Sequence, residues 1–212
     1  MEIKGIKNKA NSIFYERSSI RKYDKSVKIS KEELTNILQD AMTAPSSLNL
    51  QPWRFVIFHT EEAKAFLQPY MMFNQVQGET AGAVIAIFGD LDNFSDADKI
   101  WSAAAEHGLM PKEAASNMIT TIKEYGKSKS KEQFRDTVLS DCGLVTMQLM
   151  LSAKAYGYDS NPIGGYKKNE LTEALGMDTK RYIPVMLVTI GKADEPAHES
   201  IRFSVDEITR WK

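Results

Sequence analysis

Arg17, Ser18, Ser19, Ile20 and Arg21 set two guanidiniums four residues apart with two hydroxyls between them. A phosphate monoester carries nearly two negative charges, which Arg grips with forked, charge-assisted hydrogen bonds while Ser adds short neutral ones. The stretch therefore reads as a phosphate cradle, although the same spacing also suits a solvated basic patch on a helix. A second polar stretch, Pro45-Ser46-Ser47-Leu48-Asn49-Leu50-Gln51-Pro52, is pinned by prolines and runs into Trp53. Its hydroxyls and amides can satisfy the carbonyl and imide edge of a planar heterocycle without introducing charge. Read blandly, it is a helix-to-strand connection whose Ser and Asn cap their own backbone. In a third stretch, Asn161-Pro162-Ile163-Gly164-Gly165-Tyr166, the paired glycines would let backbone N–H groups approach a ligand ring, or simply make a turn.

Other chemistries lack their residues. The histidines, His59, His107 and His198, are not paired at metal-ligand spacing, and none lies near Cys142 in sequence. There is no glycine-rich dinucleotide fingerprint after the first strand, no phosphate-loop lysine and no nucleophile elbow. Lys plus Arg total 27 against 28 Asp plus Glu, so no single-sign field draws the molecule to nucleic acid or an anionic membrane. Cys142 has no partner for an internal disulfide and is expected to be buried and inert. The apolar stretch from Val138 to Tyr158 is interrupted by Asp141, Gln148 and Lys154, which argues against a membrane span. Met1 to Ala10 contains no apolar run of the secretory type, and a cytoplasmic location is expected.

The elements that position these stretches follow from pattern. Ser30 with Glu33 forms a capping-box signature, and Leu34, Ile37, Leu38 and Ala41 recur at helical spacing, predicting a helix from about Lys31 to Thr43. Pro45 steers Ala44 out of the helical region and breaks the chain into the Ser46–Asn49 loop. Trp53–Phe58, Ala83–Phe88 and Ile183–Ile190 are short, nearly continuous apolar runs, the pattern of strands covered on both faces. A further short strand is expected near Tyr158–Ser160. Helices are predicted at Glu61–Gln68, Pro111–Tyr125, Lys131–Tyr156 and Lys168–Leu175. The Lys131–Tyr156 helix carries two apolar stripes, Val138, Cys142, Val145 and Leu149 on one and Leu144, Met147 and Leu151 on the other. Such a helix is buried either in one core or partly at a subunit interface. No repeat or linker divides the 212 residues, so one domain spanning 1–212 is expected.

In order and wording the three stretches together resemble the FMN-dependent nitroreductase family, from Arg17 to the Arg202–Trp211 stretch. The resemblance implies an α+β, three-layer α-β-α fold with a mixed, mostly antiparallel central sheet, and a homodimer with FMN sites at the interface. It implies that Arg17, Ser18, Ser19, Arg21 and Arg202 hold the FMN phosphate and ribityl region. Pro45, Ser46, Ser47 and Asn49 would reach the isoalloxazine from the other subunit, with Asn74 and Gln77 also contacting the flavin. Ile163, Gly164 and Gly165 would present backbone to flavin N5. Ser200 stands where some members have Lys, and Gly164 where some have an acid. The implied activity is hydride transfer from NAD(P)H through FMN to nitroaromatics, quinones or other small conjugated acceptors by a ping-pong mechanism, with no catalytic side chain, metal, nucleic acid or membrane. A flavin-binding module without turnover, a reductive dehalogenase and a flavin-cleaving enzyme are the rival readings.

Overall fold

The computed structural model describes residues 12–212, without the side chain of Lys131. Trp53–Phe58 (β1), Ala83–Asp90 (β2), Asp159–Ile163 (β3) and Tyr182–Gly191 (β4) form one sheet in the order β1-β2-β4-β3, every neighbouring pair antiparallel. Among the described residues its parallel component is a single bridge between Ser19 and Ser160. The helices are Ser12–Glu16 (α1), Lys31–Ala41 (α2), Glu61–Leu67 (α3), Gln75–Thr80 (α4), Ala97–Glu106 (α5), Lys112–Ser128 (α6), Lys131–Ala155 (α7), Lys168–Ala174 (α8) and Val205–Ile208 (α9).

Every residue of β2 is buried, because helices cover both faces of the sheet as its unbroken apolar run requires. On one face Ile85 and Ile87 of β2 and Val188 and Ile190 of β4 pack with Leu34 and Ile37 of α2 and with Val138, Cys142, Val145 and Leu149 of α7. On the other, Val84, Ala86, Phe88 and Leu187 meet Leu67 of α3 and Leu171 of α8, together with Ile20 and Tyr23 from the N-terminal segment. Three layers result. Pro184 pairs with Phe88 next to the register shift that skips Val185, and it lies before the Leu187–Gly191 stretch that β3 covers, so on that side it faces no neighbouring strand among the described residues. β3 runs further than Tyr158–Ser160, so Asn161, Pro162 and Ile163 are ladder residues and the open loop starts at Gly164. As an edge strand, β3 accommodates Pro162.

The long helix α7 begins at a capping box between Ser130 and Gln133. Of its two apolar stripes, Val138-Cys142-Val145-Leu149 is buried, while on the other Leu144 is 49% and Met147 41% exposed. Within one chain α7 is therefore covered on one side, not all round. It approaches β2 closely at Gly89, where a Cβ would lie 2.4 Å from Val138 Cγ1 and 3.4 Å from Cys142 Sγ. Cys142 is buried as expected, and burial pushes its thiol up to about 12, which keeps it protonated and inert. Residues 201–212 are all exposed, including the large apolar side chains of Ile201, Phe203, Ile208 and Trp211. No helix among the described residues is long and apolar enough to cross a membrane.

Candidate functional site

Arg17 and Arg21 do not ride on a helix. α1 ends at Glu16, and the chain then runs extended, bridged to β3 through Ser19 and to Ala193 through Tyr23. Side chains two apart share a side of an extended segment, so Arg17, Ser19 and Arg21 can face out together while Ile20, 3% exposed, enters the core. Arg17, Ser18, Ser19 and Arg21 line a cavity of about 510 Å³ whose opposite wall comes from the C-terminal segment: His198, Glu199, Ser200 and Arg202. Three guanidiniums from two distant segments thus converge on one polar space. The Arg21 backbone N–H donates to Glu195 Oε1 at 2.7 Å and that of Lys22 to the same oxygen at 3.1 Å, fixing the two walls to each other.

Arg21 also lines a second cleft of about 310 Å³ with Phe73, Asn74, Gln77, Asn161 and the Ile163–Gly165 loop. Nothing lies within 4 Å of where a Cβ would sit on Gly164 or Gly165, so the absent side chains leave the cleft open. Ile163 is 3% exposed, and its contribution there is backbone. A chain of hydrogen bonds sets the amide edge. Asn74 Nδ2 donates to Gly165 O at 2.8 Å and to Met71 O at 3.2 Å, and Asn74 Oδ1 accepts from Gln77 Nε2 at 3.0 Å. Gln77 Oε1 in turn accepts from Asn161 Nδ2. Both Asn74 donors are engaged, so a ligand meets the remaining lone pair of its Oδ1. Gln77, 6% exposed, acts chiefly by orienting Asn74.

Of the side chains lining this second cleft, only Arg21 is charged. Tyr166, just after the loop, is 5% exposed with its Oη unpartnered, and burial pushes its pKa up. No acid there is tuned to deliver a proton near neutral pH. The arrangement suits an elongated ligand with a phosphate at one end and a planar, hydrogen-bonding ring at the other.

Pro45, Ser46, Ser47 and Asn49 line neither cleft of their own chain. Their loop is nonetheless built with care. Leu48, Asn49 and Gln51 all have positive φ, at 54°, 53° and 44°, a conformation non-glycine residues adopt only when their surroundings hold them. The hold comes from Asp141 of α7, 4% exposed, whose two oxygens each accept the Ser47 N–H at 3.1 Å while Oδ1 also accepts from Ser47 Oγ at 3.1 Å. Burial pushes the Asp141 pKa up, and the Ser47 bonds oppose it. Ser46 Oγ accepts the Gln51 N–H at 3.0 Å.

The nitroreductase family's sequence profile matches residues 15–192. The chain belongs to the nitroreductase family. A Bacillus subtilis relative, provisionally named NAD(P)H nitroreductase YdgI, is 49% identical over 196 residues, covering 92% of this chain and 94% of its own. The CLA biosynthesis enone reductase of Lactiplantibacillus plantarum is 37% identical over 195 residues, covering 91% and 90%. A crystal structure of a provisionally assigned nitroreductase from Exiguobacterium sibiricum, in complex with FMN, superposes with a TM-score of 0.93 at 47% identity and covers 99% of each chain. This nitroreductase fold is therefore shared over the whole chain, not over one motif.

Sequence reasoning did not single out His198 and Phe73, which line the two clefts, nor Asn161 as a cleft residue. Phe73 is 94% exposed directly before Asn74, and a bare aromatic beside a polar contact is a signal that could have found it. His198 carries no such mark.

Proposed function

We propose that this nitroreductase-family chain is an FMN-dependent oxidoreductase that passes hydride from NAD(P)H to nitroaromatics, quinones or similar electron-poor acceptors by a ping-pong mechanism. The convergence of Arg17, Arg21 and Arg202 on one cavity, sharing Arg21 with a glycine-floored cleft, carries the reading. FMN supplies the redox chemistry when bound, taking hydride at N5 and passing it on. The three guanidiniums and Ser18 and Ser19 would hold its phosphate. Asn74, oriented by Gln77, would accept a hydrogen bond from the ring, and the Gly164–Gly165 backbone would lie against it. Arg21 would bring positive charge close to a ring that becomes electron-rich on reduction, an electrostatic role that needs no proton-donating side chain. Water supplies the protons. Conjugated enones fall within the same acceptor class, a reading supported by the Lactiplantibacillus enone reductase.

The working unit of this reading is a homodimer. The Ser46–Asn49 loop lines neither of the two clefts described above, and the exposed Leu144, Met147, Phe203 and Trp211 are apolar surfaces that a second copy would cover. Purified protein should be yellow, lose its colour anaerobically with NAD(P)H and regain it with a nitroaromatic or quinone. A preparation that neither carries nor takes up FMN would end this proposal.

A further inference from the structure

Asp141 is a buried carboxylate on α7 that accepts hydrogen bonds from Ser47, 94 positions away along the chain. A carboxylate in such a place needs donors, and Ser47 supplies its backbone N–H and its hydroxyl. The consequence for Ser47 is chemical as well as structural. An ionised carboxylate can only accept, so the Ser47 hydroxyl proton points inward to Asp141 and the outer side of Oγ carries lone pairs alone. Its neighbour is set the opposite way. Ser46 Oγ accepts the Gln51 N–H at 3.0 Å, which leaves its own proton available to donate. Two adjacent hydroxyls in a loop of positive φ are thereby given opposite polarity by contacts behind them.

We propose that Asp141 is a positioning residue for the flavin: by holding the backbone and hydroxyl of Ser47 it makes Ser47 a fixed hydrogen-bond acceptor for an N–H or O–H donor of FMN bound across the dimer. The inference rests on the functional reading above, in which this loop reaches the flavin of the partner subunit. Asp141 itself touches no ligand and acts through Ser47. Asp141→Asn keeps the shape yet puts an amide N–H where one carboxylate oxygen accepted, and Ser47→Ala removes the acceptor while leaving the backbone donors.

The experiment compares full-length wild type, Asp141→Asn, Ser47→Ala and the double variant by flavin-fluorescence titration with FMN and by the absorption spectrum and midpoint potential of the bound, oxidised flavin. Each single change should raise the FMN Kd about five- to tenfold, the loss of one hydrogen bond. The double variant should be no more than about twofold worse than the weaker single, since both act on one contact. The visible flavin band and the potential should shift in the same direction in all three, which a change in fold stability alone would not produce. Lumiflavin locates the donor: a Ser47→Ala penalty that persists with it supports a ring N–H, and one that vanishes supports a ribityl hydroxyl.

Wild-type Kd, spectrum and potential in either single variant, or fully multiplicative losses in the double variant, overturn the proposal while FMN binding by the wild type leaves the functional reading standing. If Asp141→Asn does not fold, Asp141→Glu, which keeps an accepting carboxylate but displaces it, takes its place in the same comparison with Ser47→Ala. Wild-type protein that takes up no FMN overturns both.

Discussion

Asn74 and Gly165, 91 positions apart, meet through one hydrogen bond of 2.8 Å from Nδ2 to the glycine carbonyl, which joins the segment before α4 to the loop after β3. That bond makes two walls of the ring cleft a single unit. Asn74→Ala should therefore loosen the Gly164–Gly165 loop as well as remove the Oδ1 acceptor. FMN affinity should fall by about 1 kcal/mol or somewhat more, near the worth of one neutral hydrogen bond. Fluorescence titration measures this, and an unchanged Kd would show that the bond does not shape the cleft.

At the other end the proposed ligand would present its phosphate, so the expected penalties are larger. Arg17→Ala and Arg202→Ala should each weaken FMN binding by about 1.5 to 3 kcal/mol, the range for a hydrogen bond to a charged group. Riboflavin, which lacks the phosphate, should bind the variants and the wild type alike. Equal losses for both ligands in calorimetric titrations would mean that these arginines hold something other than phosphate.

Gly165 tests the open floor of the cleft. No atom lies within 4 Å of a Cβ there and its φ lies outside the left-handed region, so the folded chain tolerates a side chain. Gly165→Val should leave the unfolding free energy from urea titration within about 0.5 kcal/mol of wild type, as expected for a surface change, while FMN uptake is lost. A valine variant that stays fully yellow would place the ring elsewhere.

Asp90 at the end of β2 carries the pH dependence of folding that is easiest to assign. Burial raises the pKa of its carboxyl, but Arg181 at 2.8 and 2.9 Å, the Asp92 N–H and Arg54 outweigh that, and the net shift is downward. A depressed folded-state pKa adds stability that is fully present above the unfolded value of about 4 and is lost as pH falls through the lower folded value. Asp90→Asn should cost about 1 to 3 kcal/mol at neutral pH, because a buried charged acceptor is lost while both guanidiniums are about a third exposed and Arg54 keeps Asp96. In urea titrations the gap between variant and wild type should narrow below about pH 4; a constant gap would assign the cost to packing instead.

Much of the scaffold is written locally. β1 falls where its apolar run does, Trp53–Phe58, and the α2 start follows from Ser30, whose hydroxyl accepts the Glu33 N–H at 3.1 Å. What could not be read depends on partners distant in sequence. The Arg17/Arg21 spacing fits a helix face, and only the bridges of Ser19 to Ser160 and Tyr23 to Ala193 make it extended. α5 went unpredicted because Ala97–Glu106 is a mixture of Ala, Asp, Lys and Ser whose one large ring, Trp101, packs in a small separate cluster with Leu50 and Ile122. Asp141 gave no signal at all; in sequence it is a charge interrupting an apolar helix, and its meaning lies in Ser47.

The bare α-carbon of Gly89 lets α7 sit down against β2, and Val138 and Cys142, the α7 residues nearest that contact, flank the turn that carries Asp141. One methyl group at this point would press on the helix, and with it on the anchor of the loop that leads into β1. Gly89→Ala should cost about 1 to 3 kcal/mol through overpacking, measurable in urea. It should also retune the colour and affinity of the bound cofactor in molecules that remain folded. On the proposed placement of the flavin, core volume at Gly89 would also set the cofactor's surroundings, and a screen for stabilising changes along β2 would be selecting redox behaviour at the same time.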